Sequence, residues 1–337
     1  MSLVATVVNP LTEPVPPQWD RFVADQRLLP VWHPELVRTA DWCTQNTSSM
    51  VLVSQSSDAC PVAVFHARHL GPTSPRRFAR PHRVAPVSMT EVRSVPVLDS
   101  GVAFATGTDQ RDRAEAVRVF ERALRTRVGP GGRFIAYRGL APADLAVVPT
   151  TARMRMELSP RMVVHNQWSD RDSYLASLPK KWRSHLRKIR RTLDRAGTVR
   201  AGFEQRIEPD QAAWMSHLVR ARHQPRGMVR PPLPARYFEV LNELPDAHYV
   251  TYRDAAGRLI AFCSVYDTGV EIRPGVWGLR AEADGGQRNL YFDQYLRMVE
   301  LMIERQRSQL ILGPGMGEIK TRYGATPEPR WAVAGLR

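Results

Sequence analysis

Lysine is nearly missing from this sequence. Of its 48 lysine and arginine residues, all but four are arginines. The four lysines are Lys180, Lys181, Lys188 and Lys320. Together with the abundance of alanine and proline, this bias is typical of a GC-rich genome. Lysine is a compact charge with an adjustable pKa, whereas arginine stays protonated. The remaining lysines are therefore candidates for positions that arginine cannot serve.

Cysteine and long apolar runs are also scarce. The three cysteines, Cys43, Cys60 and Cys263, show no C-x-x-C spacing, which excludes a disulfide framework and fits a reducing compartment. No apolar run reaches membrane-spanning length, and the first residues lack the features of a signal peptide. We find no metal-ligand set, Ser–His–Asp arrangement or Walker loop. We therefore expect a cytoplasmic protein with neither a membrane span nor a metal site.

Acidic residues are too few to balance the charge. The chain has 33 of them and a net charge of +15, which favours polyanionic partners such as nucleic acid, an anionic membrane surface or phosphorylated substrates. Its 337 residues, 43% of them hydrophobic, are enough for two globular domains.

One stretch concentrates the positive charge. From Tyr174 to Arg195, apolar residues recur every three or four positions, which predicts one amphipathic helix that stops at Gly197. They are Tyr174, Leu178, Trp182, Leu186, Ile189 and Leu193. Its cations include Lys180, Lys181, Arg183, Arg187, Lys188, Arg190 and Arg191. Like charges one turn apart repel by about 0.2–0.5 kcal/mol per pair. We therefore favour an anion-binding face over the alternative of a solvated basic face.

The N-terminal half has weaker patterns. Predicted helices are 18–26 and 111–128, and predicted strands are 50–54, 60–67, 133–137, 144–149, 153–158 and 161–168. An arginine-rich loop, Thr73–Pro86, is interpreted as solvated, with a second anion contact as the alternative.

The C-terminal half has clearer periodicity. Predicted helices are 209–223, 235–244 and 290–306, and predicted strands are 248–253, 259–266, 275–280, 309–312 and 331–334. The strands at 248–280 are consecutive and are expected to pair antiparallel.

From about Met162 onward, this order of elements resembles the Fem-like, CelD-like branch of the GNAT acyltransferases. The matching segments are the basic helix, VTYRDAAGRLIAFCSVYD, NLYFDQYLRMVELMIERQ and LILGPGMGEIKTRYGATPEP. The resemblance implies an α/β (α+β) fold of two tandem GNAT-like modules, each a mixed, mostly antiparallel central sheet flanked by helices. Residues 1–160 would form a degenerate module, and residues 161–337 a GNAT module opened by the basic helix 174–195.

The sequence departs from the family pattern at the segment that would bind acyl-CoA, and this departure suggests a different acyl donor. GNAT enzymes that use acyl-CoA hold its pyrophosphate on a glycine-rich loop before a helix. The corresponding stretch here, ADGGQRNLYFDQY, has no glycine after Gly286. The resemblance then implies aminoacyl-tRNA as co-substrate, with no other cofactor, because tRNA needs a broad basic surface and no such loop.

Several residues are candidates for the chemistry. Lys320, which aligns with the family's closing-turn lysine, is expected to stabilise the oxyanion of acyl transfer. Tyr291 and Asp293 could relay a proton, and Arg280 could reach the substrate. Substrate-binding candidates are Trp277, Tyr266 and Arg322. For Tyr291, Asp293, Tyr266 and Trp277, ordinary packing or helix-terminal placement is the alternative, and for Lys320 the alternative is an exposed turn lysine.

We therefore expect an aminoacyltransferase that moves an amino acid from aminoacyl-tRNA to an amine acceptor. The acceptor would be a specialised metabolite, as in antibiotic biosynthesis, or a cell-wall precursor. Two alternatives remain open: an acyl-CoA-dependent N-acyltransferase of the same fold, and a non-catalytic RNA-binding protein.

Overall fold

A computed structural model describes the chain over most of its length. The described residues are 3–44, 47–56, 58–70, 89–94, 99–129, 134–197, 199–223 and 232–336. They form two compact units, Met1–Ser159 with Pro329–Arg337, and Pro160–Glu328. The arginine-rich loop Thr73–Pro86 lies outside the described residues. No helix in the described ranges combines the length and apolar character needed to cross a bilayer.

The first unit has a mixed sheet flanked by helices. Its strands are β1 (Val4–Val8), β2 (Thr47–Ser54), β3 (Ala63–Leu70), β4 (Met89–Val92), β5 (Val102–Phe104), β6 (Phe134–Leu140) and β7 (Arg153–His165), the last continuing into the second unit. Its helices are α1 (Pro17–Asp25), α2 (Pro34–Thr44), α3 (Gln110–Val128) and α4 (Pro142–Leu145). Strands β1 to β4 pair antiparallel in chain order, and β4 pairs parallel with β6. Phe120 of α3 stacks on Phe65 of β3 at 4.1 Å in the core.

The sequence patterns miss part of this unit. Strand β1 and helix α2 are not predicted. The strand expected at 144–149 is wrong, because Pro142 begins the short helix α4, a position that suits the fixed φ of proline. The strands predicted at 153–158 and 161–168 are one strand, β7.

The second unit has the clearer GNAT-like order. Its helices are α5 (Arg171–Ser177), α6 (Lys180–Ala196), α7 (Pro209–Arg222), α8 (Ala235–Glu243), α9 (Leu290–Glu304) and α10 (Gly317–Thr321). Its strands after β7 are β8 (Val199–Glu204), β9 (Ala247–Asp254), β10 (Leu259–Asp267), β11 (Glu271–Leu279) and β12 (Gln309–Gly313). The sheet order is β7-β12-β11-β10-β9-β8. The predicted fold class, a mixed and mostly antiparallel sheet flanked by helices in each module, is confirmed.

The parallel strands β11 and β12 meet only briefly. Their register joins Glu271 with Gln309 and Ile272 with Leu310. Pro274, two residues further along β11, has no N–H to donate to a neighbouring strand. Beyond this point β11 continues along β10 and β12 along β7. The two strands therefore separate and leave an opening at their carboxyl ends.

The basic stretch is two helices rather than the single predicted one. Helix α5 ends at Ser177, Leu178 is extended with φ −79° and ψ 152°, and Pro179 precedes α6. The residue before a proline is sterically driven out of the helical region, which explains the break. The apolar stripe continues across it, because Tyr174, Leu178 and Leu186 are all buried.

The last strand returns to the first unit. Strand β13 (Thr326–Leu336) pairs antiparallel with β6, from Trp331 opposite Leu140 to Leu336 opposite Phe134. A simple division of the sequence at residue 160 does not anticipate this return.

Candidate functional site

Side chains from three segments, two of them contributing aromatic rings, meet at the opening between β11 and β12. The ring of Trp277 on β11 lies 5.7 Å from that of Tyr291, in the first turn of α9. The hydroxyl of Tyr291 is 2.7 Å from that of Tyr295 and 3.4 Å from Sδ of Met316, which follows β12. Burial raises the pKa of Tyr291. The structure thus brings together Trp277 and Tyr291, two of the predicted site residues.

The ring contacts continue from this opening to the basic helix. Tyr295 contacts Tyr323 at 5.4 Å, and Tyr323 contacts Trp182 of α6 at 5.3 Å between ring centroids. The guanidinium of Arg322 lies 5.6 Å above the Trp182 ring. Arg322, predicted to bind substrate, is exposed beside this run of rings. The sequence pattern identifies Trp182 only as a member of the apolar stripe.

Lys320, on α10, is buried against the end of β12 and the turn that follows it. Its ammonium group donates to the carbonyl oxygens of Leu312 at 2.7 Å, Gly313 at 3.1 Å and Pro314 at 3.0 Å. Burial lowers the pKa of Lys320 to about 8. All three ammonium hydrogens are therefore directed at backbone oxygens, so the side chain holds the shape of the turn. A direct contact with a reacting group, as the sequence suggests, would require one of these bonds to open.

Asp293 ties α9 to the basic helix. Its carboxylate is 1% exposed and accepts hydrogen bonds from Arg190 Nε at 2.8 Å, Tyr252 OH at 2.9 Å and Arg297 Nε at 2.6 Å. Arg190 also donates to Glu300. Asp293 is therefore enclosed by its own partners, and Arg190, a cation of the predicted tRNA face, points into this network.

Of two other candidates, Arg280 is hydrogen-bonded to neighbouring groups and Tyr266 is buried. Arg280 donates from Nε to the Leu259 carbonyl at 2.6 Å and from Nη2 to Gln211 at 2.9 Å. Tyr266 is fully buried in β10. A Cβ built on Gly275 would come within 2.5 Å of its hydroxyl, so the surroundings of Tyr266 leave no space for a ligand.

A cationic groove of about 620 Å³ runs along α6. Its lining residues are Arg171, Lys180, Arg183, Ser184, Arg187, Arg190, Arg191 and Asp194. Arg171 and Arg190 form ion pairs with Glu300, and Arg183 donates to the carbonyl of Ala176. Across the described ranges, no carboxylate pairs with the exposed cations of α6, which are Lys180, Lys181, Arg187, Lys188 and Arg191. This surface carries uncompensated positive charge.

The two glycines of the loop before α9 allow it to form a tight turn. Gly285 has a φ of +86°. Gly286 donates its N–H to the Ala281 carbonyl at 2.8 Å, and a Cβ there would lie 2.1 Å from the Arg280 carbonyl oxygen. Glu282 pairs with Arg288 at 2.7 Å. The loop also exposes acidic side chains, those of Glu282 and Asp284.

Comparison with known proteins agrees with this geometry. Residues 180–321 match the acetyltransferase (GNAT) domain family. The second unit thus carries the fold of the GNAT acyltransferases, and the expected resemblance to this class is confirmed. No curated protein sequence matches the chain.

Several solved structures share the fold over nearly the whole chain. FemX aligns with a TM-score of 0.60 at 10% identity, covering 100% of this chain and 98% of that one. L-PGS from Bacillus licheniformis aligns at 0.60 with 14% identity, covering 96% and 93%. The C-terminal domain of a putative lysylphosphatidylglycerol synthetase from Agrobacterium fabrum aligns at 0.57 with 16% identity, covering 94% and 90%. The chain therefore shares its fold with these structures over nearly its whole length.

Proposed function

We propose that this protein transfers an aminoacyl group from aminoacyl-tRNA to an amine acceptor and forms an amide. The observation that carries the proposal is the uncompensated cationic groove on α6, the helix with which the GNAT segment begins. A polynucleotide donor offsets this charge along its phosphate backbone.

The spacing of the cations suits an extended anion. Lys180, Arg187 and Arg191 line the same groove at intervals of seven and four residues. At 1.5 Å of rise per residue they span roughly 16 Å along the helix axis. A single small anion would leave most of this length unneutralised, whereas a run of phosphates covers it.

The loop before α9 disfavours the acyl-CoA alternative. Its two glycines are explained by the turn, the Gly286 N–H already donates to the Ala281 carbonyl, and the exposed Asp284 adds negative charge. Carboxylates beside a helix N-terminus repel the pyrophosphate that acyl-CoA would bring there.

The reaction joins the acceptor amine to the ester carbonyl of the donor. The neutral amine attacks, a tetrahedral oxyanion forms, and the ester bond to the ribose oxygen breaks as that oxygen leaves with a proton. Tyr291 at the opening keeps its own proton, because burial raises the pKa of its hydroxyl. It can therefore donate a hydrogen bond to developing negative charge. Lys320 supports the site by holding the turn that carries Met316.

The acceptor we propose is a specialised metabolite or a cell-wall precursor. The name of one structural relative refers to a lysylphosphatidylglycerol synthetase, so an anionic lipid is included as an acceptor in the experiment.

The proposal is tested with a pool of tRNAs charged with radiolabelled amino acids. The purified protein is incubated with this pool and either a cell extract or phosphatidylglycerol vesicles, beside RNase-treated and acetyl-CoA reactions. We expect label to leave one charged tRNA for a product, and RNase treatment to abolish this transfer. Transfer from acetyl-CoA alone would support the acyl-CoA alternative. Binding of charged tRNA without any transfer would support a non-catalytic RNA-binding protein.

A further inference from the structure

Trp182 occupies an unusual position in the first turn of α6. It is half-buried, between the lysines that begin the helix and the run of rings that leads to the opening. The His185 ring lies 4.9 Å away and is tilted by only 31°. The Arg322 guanidinium lies 5.6 Å above the indole. Both His185 and Arg322 are exposed, so the indole is flanked by two planar groups that solvent can reach.

Packing alone does not account for a tryptophan at this position. Toward the core, Phe292 and Tyr323 meet the indole nearly at right angles, at 81° and 84°. The indole N–H is buried and has no hydrogen-bond partner among the described residues, which costs stability. A phenylalanine would pack without that cost. What tryptophan adds is a wide π face beside two other groups that can stack.

Planar groups of this kind bind unpaired nucleobases. Bases of single-stranded RNA stack on aromatic side chains, histidine included, and on arginine guanidinium planes. Bases inside a duplex have both faces covered by their neighbours and cannot use such a surface. The chemistry of the cluster therefore selects an RNA end or loop.

We propose that His185, Trp182 and Arg322 form a stacking subsite for an unpaired base of the RNA donor. The inference rests on the proposed function, in which the donor's phosphates lie along the α6 groove. Lys180 and Lys181 directly precede Trp182, and Tyr323 connects its ring contacts with Tyr295 and Tyr291. The subsite thus lies between the phosphate-binding surface and the opening, where the charged end of the donor has to pass.

The experiment compares two short RNAs with the same number of phosphates. One is a labelled single-stranded pentanucleotide, and the other is the same chain with its last two nucleotides abasic. Fluorescence anisotropy should show the wild-type protein binding the complete RNA about 5- to 150-fold more tightly. Trp182→Leu should bind both RNAs with the affinity that wild-type protein has for the abasic one, because the phosphate contacts remain.

The chain offers a matched control. Trp331 is also half-buried, has the Arg155 guanidinium 3.9 Å above its ring, and lies in the first unit. Trp331→Leu should keep the full preference for the complete RNA. Trp182→Phe should keep most of it, and Arg322→Gln, at an exposed position, should lower it at least twofold.

The outcomes separate the two proposals. Equal wild-type affinity for both RNAs would overturn the stacking subsite and leave the tRNA proposal in place. An undiminished preference in folded Trp182→Leu protein would do the same. If Trp182→Leu does not fold, Arg322→Gln decides, and an unchanged preference there overturns the subsite. Absence of wild-type binding to either RNA would overturn the tRNA proposal and this inference with it.

Discussion

Arg190 of the basic helix and Asp293 of α9 form a buried ion pair, with Nε donating to Oδ1 at 2.8 Å. The two residues lie 103 positions apart in the sequence. Because Tyr291 stands two residues before Asp293, this pair fixes the helix that bears the proposed tRNA-binding surface against the helix that bears the candidate hydroxyl.

Loss of this pair should be costly. Asp293→Asn removes the charge opposite both Arg190 and Arg297, and breaking a buried pair typically costs about 3–5 kcal/mol. Urea denaturation should therefore show a free energy of unfolding lower by about 3 kcal/mol. Glu243→Gln is the control, since the pair of Glu243 with Arg206 is exposed on both sides and should contribute under about 1 kcal/mol. A loss no larger in Asp293→Asn than in the control would contradict a stabilising role.

The α6 groove should determine how tRNA binding depends on salt. Each phosphate contact lowers the slope of log Kobs against log salt by about 0.7–0.9. The double variant Arg187→Gln, Arg191→Gln should therefore reduce the magnitude of the slope by about 1.4–1.8. Anisotropy titrations of tRNA at several salt concentrations measure it. Arg236→Gln removes a cation that is already paired with Glu239, and its slope should equal that of wild type.

Tyr291 should affect transfer more than binding. Its hydroxyl lies at the opening and contacts both Tyr295 and Met316. A positioned hydrogen-bond donor to the oxyanion contributes about 100-fold or more to rate. Tyr291→Phe should lower the single-turnover rate of aminoacyl transfer by about this factor and leave the Kd for tRNA unchanged. The control is Tyr249→Phe, a buried tyrosine that packs on Phe262. Equal rates in the two variants would remove Tyr291 from the chemistry.

Lys320 should give stability a distinctive pH dependence. Its pKa in the folded protein is lowered by burial from 10.5 to about 8. Between these two values the unfolded chain binds more protons than the folded one, so this group makes the free energy of unfolding rise with pH. Chemical denaturation at pH 7.5, 8.3 and 9, below the range in which the tyrosines of the unfolded chain ionise, should show the rise in wild type and in Lys181→Met, which changes an exposed lysine.

In Lys320→Met the same rise should be absent. The variant should also be less stable at pH 7.5 by about 1–3 kcal/mol, because the carbonyls of Leu312, Gly313 and Pro314 lose their donor. An identical pH profile in Lys320→Met and wild type would refute the burial of this charge.

The sequence predicts elements well where one face of a helix or strand is apolar. The helix predicted at 111–128 is observed as Gln110–Val128, and the consecutive strands at 248–280 are β9 to β11. Periodicity fails at Pro179, because the buried stripe continues across the break and conceals it. There the steric effect of the proline is the better guide.

The candidate site is less accessible to sequence reasoning. The partners of Lys320 are backbone carbonyls, which every residue has, so no side-chain pattern can reveal them. The pairing of Arg190 with Asp293 depends on how two distant helices pack. Trp182 reads as one more member of the apolar stripe, and only its neighbours Arg322 and His185 distinguish it.

Because β13 returns to the first unit, the two units are completed at different times during translation. Residues 329–336 are translated after the whole of Pro160–Glu328, yet they complete the sheet beside β6. The second unit is one continuous segment and can fold as it leaves the ribosome. The first unit cannot complete its sheet until residues 329–336 have been translated, and until then β6 lacks this neighbour. A chain that stalls before Pro329 would expose that strand edge, a template for pairing with other nascent chains.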